Sequence, residues 1–214
     1  MSAPAWERSL EVHTAAQTHA LAAALGAVLE TGDLLVLTGE LGAGKTTFTQ
    51  GLGEGLGVRA GIISPTFVLV RIHPNLPGGP RPGGPDLVHV DAYRLESAAE
   101  IDDIDLENTM DSAVTVVEWG RGRVEHLSDS RLEVELHRTR GGAAASAQTP
   151  ETPAETGASP VLDFDTDDDD EPRTVVIRGF GPRWAEAPTL PGPETMPGAG
   201  PLPGTTPQTP ERNP

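Results

Sequence analysis

Residues 39–46 read Gly-Glu-Leu-Gly-Ala-Gly-Lys-Thr, a complete phosphate-binding loop of the pattern Gly-x-x-x-x-Gly-Lys-Thr. In such a loop the glycines let successive backbone N–H groups face inward and surround the phosphates. The lysine then reaches the β- and γ-phosphate oxygens, and the hydroxyl of the following residue, here Thr46, ligates Mg²⁺. Of the 15 basic residues in the chain, Lys45 is the only lysine. The stretch therefore predicts a nucleoside triphosphate site built around Lys45.

The flanking residues provide the strand and the helix that such a loop must join. Residues 33–38 form a short apolar run with β-forming residues, and Phe48, Leu52 and Leu56 recur at helical spacing after the loop. This context favours a phosphate-binding loop over the alternative, a glycine-rich turn that merely precedes a helix.

The composition limits the classes of protein that the chain can represent. A length of 214 residues allows one ordinary domain with additional segments. The net charge of −17 argues against binding of nucleic acid by this chain alone, because phosphate neutralisation requires clustered basic residues. The absence of cysteine excludes disulfides and thiolate metal sites. We find no leader peptide and no apolar run long enough for a membrane span, so we expect a cytoplasmic protein.

The predicted domain organisation is one folded core with two additions. We place the core at 1–140, with its final strand at 173–184. The intervening segment 141–172 is rich in Ala, Thr and Pro and has an acidic end, and the tail 185–214 is rich in proline. Both are predicted to be disordered, because they hold too little apolar surface to offset the entropy of ordering. A cation site in the acidic run is the alternative to a solvated charge run.

Strand and helix patterns alternate along the core, which predicts an α/β three-layer sandwich around a mixed, mostly parallel sheet with a C-terminal antiparallel hairpin. The predicted strands are 8–13, 33–38, 67–72, 86–90, 113–117, 131–138 and 174–177. Capping boxes open helices at Thr14 and at Ser97; the first helix is expected to end at Gly32 and the other near Asp111. The helix after the loop contains glycines that weaken it, and 73–85 is predicted to be a flexible surface insertion.

Two carboxylates follow predicted strands, where ligands bind in open α/β sheets. Glu118 follows Val114–Val117 in the pattern of a Walker-B acid that faces Mg²⁺; a solvent-exposed strand end is the alternative. Asp91 could support the attacking water, or it could cap a turn. Ser64-Pro65-Thr66 lies where P-loop proteins place a switch that senses the γ-phosphate. His89 and Tyr93 are interpreted as packing or hydrogen-bonding residues.

The identity of the base follows from elimination. Guanine-specific GTPases use an Asn-Lys-x-Asp motif, and the chain has no lysine outside the phosphate loop. The absence of this motif favours ATP over GTP.

Four segments in this order resemble the bacterial TsaE (YjeE) family, the ATPase component of tRNA threonylcarbamoyladenosine synthesis. They are GELGAGKTT at 39–47, SPTF at 64–67, HVDAYRL at 89–95 and VVEWG at 116–120. The resemblance covers about residues 8–140 and resumes at 173–183. The chain departs from the compact family pattern at 73–85, at 141–172 and in the tail, and the middle departure puts any nucleotide contact near 178–181 in doubt.

The resemblance implies a small P-loop fold that uses ATP and Mg²⁺. By motif, Lys45, Asp91 and Glu118 would be the catalytic residues, and Thr46 and Glu118 would ligate Mg²⁺. The adenine would contact Thr14. The phosphates would contact Gly42, Ala43, Gly44, Lys45, Thr46 and Thr47. The nucleotide would also contact the switch residues Ser64 and Thr66, and Trp119.

The resemblance also implies partners. These are the threonylcarbamoyl transferase subunit and its paralogous partner protein, which together modify the adenosine next to the anticodon, so that tRNA is reached only through the complex. ATP hydrolysis would then reset the complex between turnovers. Two other hypotheses remain open from the residues alone: a free-standing small-molecule kinase, for which no lid is evident, and a nucleotide-dependent binding switch with negligible turnover.

Overall fold

The computed structural model describes residues 3–95, 97–102, 104, 106–138 and 171–197. The strands are β1 (Trp6–Val12), β2 (Leu34–Gly39), β3 (Val70–His73), β4 (Asp86–Asp91), β5 (Ala113–Glu118), β6 (Arg131–Arg138) and β7 (Arg173–Phe180). The helices are α1 (Ala15–Gly26), α2 (Lys45–Leu56), α3 (Ala98–Asp102) and α4 (Glu107–Met110), and two 3₁₀ turns lie at Pro182–Trp184 and Pro193–Thr195.

The seven strands form one mixed sheet in the order β1-β7-β6-β2-β5-β4-β3. Strand β2, which leads into the phosphate loop, lies between β6 and β5, and β4 follows β5; these pairings are parallel. The pairings β1–β7, β7–β6 and β3–β4 are antiparallel. The mixed sheet and the C-terminal hairpin are confirmed, although the sheet has more antiparallel pairing than the prediction of a mostly parallel sheet.

Helices cover both faces of the sheet, which confirms the three-layer arrangement. Side chains alternate between the faces along β2: Leu35 and Leu37 join the apolar cluster under α1 and α2. Leu34 and Val36 join the cluster that includes Ile101 of α3 and Met110 of α4. Because the side chains of a strand point to opposite faces in turn, β2 is buried on both sides and holds the phosphate loop rigidly.

Glycines in α2 allow this helix to approach α1 closely. A Cβ atom at Gly51 would lie 2.3 Å from the His19 carbonyl oxygen, and one at Gly55 would lie 2.0 Å from the Ala23 carbonyl oxygen. These positions are four residues apart and share one helix face. The glycines lower the intrinsic helix propensity of α2, but they are required for the packing of the two helices.

The helix boundaries differ from the prediction in two places. Helix α1 has the predicted cap, since the Gln17 N–H donates to the Thr14 Oγ1 at 3.1 Å, but it ends at Gly26 rather than Gly32. The predicted helix from Ser97 to Asp111 is instead the two short helices α3 and α4. Asp102, the last residue of α3, favours an end there, because aspartate has low helix propensity and its charge is unfavourable at a helix C-terminus.

The predicted strand over 67–72 is wrong in its first half. The Val68 and Leu69 N–H groups donate to the Pro65 carbonyl oxygen at 2.9 and 2.8 Å, and Leu69 has a φ of 67°. This turn delays β3 to Val70. Phe67 is 85% exposed.

The predicted flexible insertion at 73–85 is also wrong, because side chains fix it to the core. The Asn75 amide donates to the carbonyl oxygens of Leu56 and Arg81 at 2.9 and 3.0 Å. The Arg81 Nη1 donates to the Leu29 carbonyl oxygen at 2.7 Å, just beyond α1.

The tail differs from the predicted disorder over 185–214 in its first part. Met196 is 4% exposed and belongs to the core cluster, and Leu190 packs against that cluster. These two apolar side chains in a proline-rich segment provide the burial that orders it. Residues 198–214 and most of 141–172 lie outside the described residues. Within the described part of the chain, no helix has the length and apolar character to cross a membrane.

Candidate functional site

The phosphate loop connects Gly39 at the end of β2 with Lys45 at the start of α2. Gly42 and Gly44 have φ values of 74° and 93°, a region that glycine occupies at little cost and other residues avoid. Gly44 is the N-cap of α2 and supplies no side-chain cap. The N-terminal N–H groups of α2 are therefore left for a ligand, and the helix dipole favours an anion there.

Lys45 lies folded against this loop and is 7% exposed. Its Nζ donates to the carbonyl oxygens of Gly39 and Glu40 at 3.0 and 3.1 Å, and it lies 4.2 Å from the centroid of the Trp119 ring. Burial lowers the pKa of Lys45, while attraction by Glu118 and Asp91 acts in the opposite direction. The structure thus brings the predicted lysine and both predicted carboxylates to one electrostatic site.

Glu118 and Asp91 end the neighbouring strands β5 and β4 and pair with each other in register. Glu118 also pairs with Leu37 of β2, two residues before Gly39. Each carboxylate residue is 3% exposed, so Glu118 is not a solvent-exposed strand end. Two buried acidic groups at the carboxyl edge of the sheet, next to a phosphate loop, provide the oxygen ligands that a hard cation prefers.

His89 fixes the orientation of Glu118, a contact that the sequence analysis missed. Its Nε2 lies 2.8 Å from the Glu118 Oε1, and the His89 side chain is fully buried. The two residues lie on adjacent strands and one diagonal step apart, since His89 pairs in register with Val116. The combination of a strand register and the two-residue side-chain period is the signal that could have revealed this pair.

Asp91 links the carboxylates to the predicted switch segment. Its Oδ1 accepts the Tyr93 N–H at 2.9 Å, which is the turn-capping role considered above. Its backbone N–H donates to the Leu69 carbonyl oxygen at 2.9 Å, at the end of the turn that starts at Pro65. Within that segment the hydroxyls of Ser64 and Thr66 lie 2.9 Å apart.

The remaining predicted residues lie on both sides of the loop. Trp119 has a φ of 60°, donates its backbone N–H to the Leu37 carbonyl oxygen at 2.9 Å, and packs edge-on against Tyr93. Thr46 and Thr47 are half-buried in the first turn of α2. Thr14 follows the end of β1, so β7 and β6 separate it from β2. The structure therefore groups Trp119 with Lys45 and the carboxylates, and places Thr14 at the opposite side of the same edge.

Two arginines beside the loop were missed entirely. Arg138 ends β6 and Arg173 begins β7, and the two are register partners. A Cβ atom at Gly42 would lie 3.3 Å from the Arg138 Nη1, and one at Gly44 would lie 3.4 Å from the Arg173 Nε. The signal was available in the predicted hairpin, because an antiparallel partner of β6 must begin at the edge where β6 ends.

Comparison with known proteins gives a consistent result. Residues 12–145 match the family described as "Threonylcarbamoyl adenosine biosynthesis protein TsaE". Over 164 residues the chain is 45% identical to the tRNA threonylcarbamoyladenosine biosynthesis protein TsaE of Streptomyces coelicolor, covering 76% of this chain and 90% of that protein. It is 38% identical to the protein of the same name from Bacillus subtilis over 123 residues, 57% of this chain and 72% of the relative.

A solved structure supports the fold. The crystal structure of YdiB from Bacillus subtilis aligns with a TM-score of 0.55 and 24% sequence identity, covering 84% of this chain and 89% of that one. This likeness confirms the P-loop NTPase-like fold. Together with the match over 12–145, these likenesses show that the chain belongs to the TsaE family.

Proposed function

We propose that this protein binds and hydrolyses ATP as the subunit that supports threonylcarbamoyl modification of adenosine 37 in tRNA. It acts with the threonylcarbamoyl transferase subunit and its paralogous partner protein, and ATP hydrolysis resets that complex. The observation that carries the proposal is the meeting of Lys45, Glu118 and Asp91 at the phosphate loop. Membership of a family named for this biosynthesis supports the pathway.

The residues of the loop fit a triphosphate. The left-handed Gly42 and Gly44 shape a backbone cradle, and residues 42–47 would hold the phosphates through backbone N–H groups and the Lys45 ammonium. The Thr46 hydroxyl and the Glu118 carboxylate would hold Mg²⁺, a cation that prefers oxygen ligands and neutralises phosphate charge. Because His89 holds one oxygen of Glu118, this carboxylate presents a fixed orientation to the metal.

The other residues have supporting roles in the proposal. Asp91, held by the Tyr93 N–H, supports hydrolysis, and its backbone contact with Leu69 couples it to the switch at Ser64 and Thr66. Trp119 lies beside the phosphates, and Thr14 approaches the adenine.

The charge of the chain supports an indirect role in tRNA modification. A net charge of −17 opposes direct binding of tRNA, so the transferase proteins hold the tRNA while this subunit supplies the nucleotide cycle. With this division of roles we expect the protein to act in the cytoplasm, where tRNA is processed.

The test is ATP turnover by the purified chain, alone and with the two transferase proteins, together with modification of a substrate tRNA over several turnovers. We expect weak hydrolysis alone, stimulation by the transferase proteins, and multiple-turnover modification that requires an intact Lys45. ATP binding without hydrolysis in either condition would support the binding-switch hypothesis. Phosphate transfer to a metabolite would replace the proposal with the kinase hypothesis.

A further inference from the structure

We propose that Arg138 and Arg173 line the phosphate site on the side opposite Glu118 and bind the phosphate oxygens nearest the nucleoside. The inference rests on the proposed function, because it assumes that the site takes a nucleotide. It adds two ligand-binding residues that the phosphate-loop motif does not contain.

The two arginines meet at the loop because of the strand order. Strand β6 is parallel to β2, so Arg138 ends at the same edge as Gly39. Strand β7 is antiparallel to β6, so Arg173 starts at that edge. Their guanidinium groups lie against Gly42 and Gly44, where an added Cβ would come within 3.3 and 3.4 Å of Arg138 Nη1 and Arg173 Nε. Both guanidinium groups therefore lie beside the two glycines of the cradle, in the space that larger side chains there would need.

The state of Arg173 points to an anionic ligand. This residue is 3% exposed, and its Nε is buried without a hydrogen-bond partner among the residues that the structure describes. Its Nη1 donates to the Glu171 carbonyl oxygen at 3.2 Å. A buried cation with an unsatisfied N–H is costly, and its position at the positive N-terminus of α2 adds repulsion. A phosphate at the helix terminus would relieve both costs, and a guanidinium suits a phosphate through its planar set of donors.

The distribution of charge across the loop indicates which phosphates are involved. Glu118 and Asp91 lie on the β5–β4 side of β2, whereas the arginines lie on the β6–β7 side. In the proposed function Glu118 would hold Mg²⁺, so the terminal phosphates would lie on the carboxylate side. Thr14 lies beyond the arginines, after the last residue of β1, Val12, which pairs with Arg173. A nucleotide that reaches from Glu118 to Thr14 must pass the arginines between its metal end and its base.

The carboxylate of Glu171 competes with a phosphate for hydrogen bonds from Arg138. The Arg138 Nε donates to the Glu171 Oε2 at 2.8 Å, and the two side chains are 35% and 43% exposed. A phosphate group would compete with this carboxylate for Arg138. Removal of the Glu171 charge should therefore strengthen nucleotide binding, and this gain should be lost when R138M is combined with E171Q.

The experiment is calorimetric titration of the full chain with ADP and with ATP, both in EDTA so that no divalent cation contributes. The variants are R138M, R173M and E171Q, and the control is R8M, because Arg8 is exposed and bonds only to the Pro188 carbonyl oxygen among the contacts of the described residues. We expect R138M and R173M each to weaken ADP and ATP binding by about tenfold and to the same extent. We expect E171Q to strengthen both, and R8M to match wild type.

The outcomes separate this inference from the proposed function. If wild type binds the nucleotides and R138M binds them with the same affinity, the inference is overturned and the proposed function is not. A loss of affinity for ATP alone also overturns the inference, because it would place the arginines at the γ-phosphate. If wild type binds neither nucleotide, the proposed function fails first. Should R173M not fold, as judged by circular dichroism, R138M and E171Q decide the result, because both residues are partly exposed.

Discussion

Two groups of basic side chains, one around Glu135 of β6 and one at the phosphate loop, are used in opposite ways. In the first group Arg121, which lies between β5 and β6, donates twice to Glu135, at 3.2 and 2.9 Å. Arg178 donates to Glu135 at 2.9 Å and to Glu7 at 2.6 Å. At the phosphate loop, by contrast, Lys45 donates only to backbone carbonyl oxygens among its described contacts. The Arg173 Nε has no hydrogen-bond partner within the described part of the chain.

The charges around Glu135 stabilise the fold, whereas the cations at the phosphate loop are available to bind a ligand. The Arg121 hydrogen bond is the largest of several effects that lower the pKa of Glu135 to about 2, so this network is already satisfied within the chain. The cations at the loop are buried but incompletely paired, which costs stability. Incomplete pairing of this kind is typical of functional sites. A substitution at the loop should therefore weaken ATP binding with little loss of stability, whereas a substitution in the Glu135 network should lower stability and leave ATP binding unchanged.

The largest effect is expected for Lys45→Ala. This change removes the ammonium from the phosphate cradle, so we expect ATP affinity to fall by about a hundredfold or more and turnover to be lost. Thermal unfolding of the apo protein should change little or shift upward, because a buried, poorly paired cation is removed. Calorimetric titration and a phosphate-release assay measure the two effects. Arg121→Gln is the matched control from the satisfied network and should bind ATP as wild type does; full turnover in Lys45→Ala would refute the assignment of the loop.

A smaller and more selective effect is expected for Glu118→Gln. The substitution keeps the shape of the side chain but removes the charge that we propose holds Mg²⁺, so Mg²⁺-dependent turnover should fall by about tenfold to a hundredfold. ATP binding in EDTA should stay near the wild-type value. Turnover measured over a range of Mg²⁺ concentrations, together with binding in EDTA, distinguishes the two steps. An equal loss in both measurements would mean that Glu118 supports the cradle rather than the metal.

The smallest effect is expected for Glu135→Gln, in the satisfied network. The pKa of Glu135 in the folded protein, about 2, lies below its ordinary value of 4.5. The network therefore contributes fully above pH 4.5, and its contribution is lost as the pH falls from 4.5 towards 2. We expect the variant to be less stable by about 1 kcal/mol at neutral pH, with the difference from wild type shrinking below pH 4.5. Denaturant unfolding of both proteins at several pH values measures this difference in the free energy of unfolding.

The Glu135→Gln variant also tests whether the two groups of basic side chains are independent. Its ATP affinity should equal that of wild type, because Glu135 bonds to arginines that lie outside the phosphate cradle. A clear change in ATP affinity would show that the two groups are coupled through the hairpin.

The features predicted correctly from the sequence are those set by local patterns. The loop at 39–46, the strand that ends in Glu118 and the boundaries of β6 each depend on neighbouring residues, and the structure contains all three. Short-range signals such as a glycine pattern or a two-residue period are visible in one sequence.

The features that were missed depend on contacts between distant segments. The close packing at Gly51, the anchoring of 73–85 by Arg81, and the burial of Met196 all involve partners far away in the chain. The predicted hairpin brings Arg138 and Arg173 together, but their position beside Gly42 and Gly44 depends on the parallel pairing of β6 with β2, which no local pattern gives. A pattern along one segment contains no information about which distant surface it will contact.

The central claim is that the nucleotide site of this protein supports modification of tRNA. Its most direct test is mass-spectrometric quantification of threonylcarbamoyladenosine in tRNA from cells depleted of the protein and resupplied with wild type or Lys45→Ala. The account predicts a marked fall on depletion that wild type restores and Lys45→Ala does not. An unchanged level of the modified nucleoside in the depleted cells would contradict it.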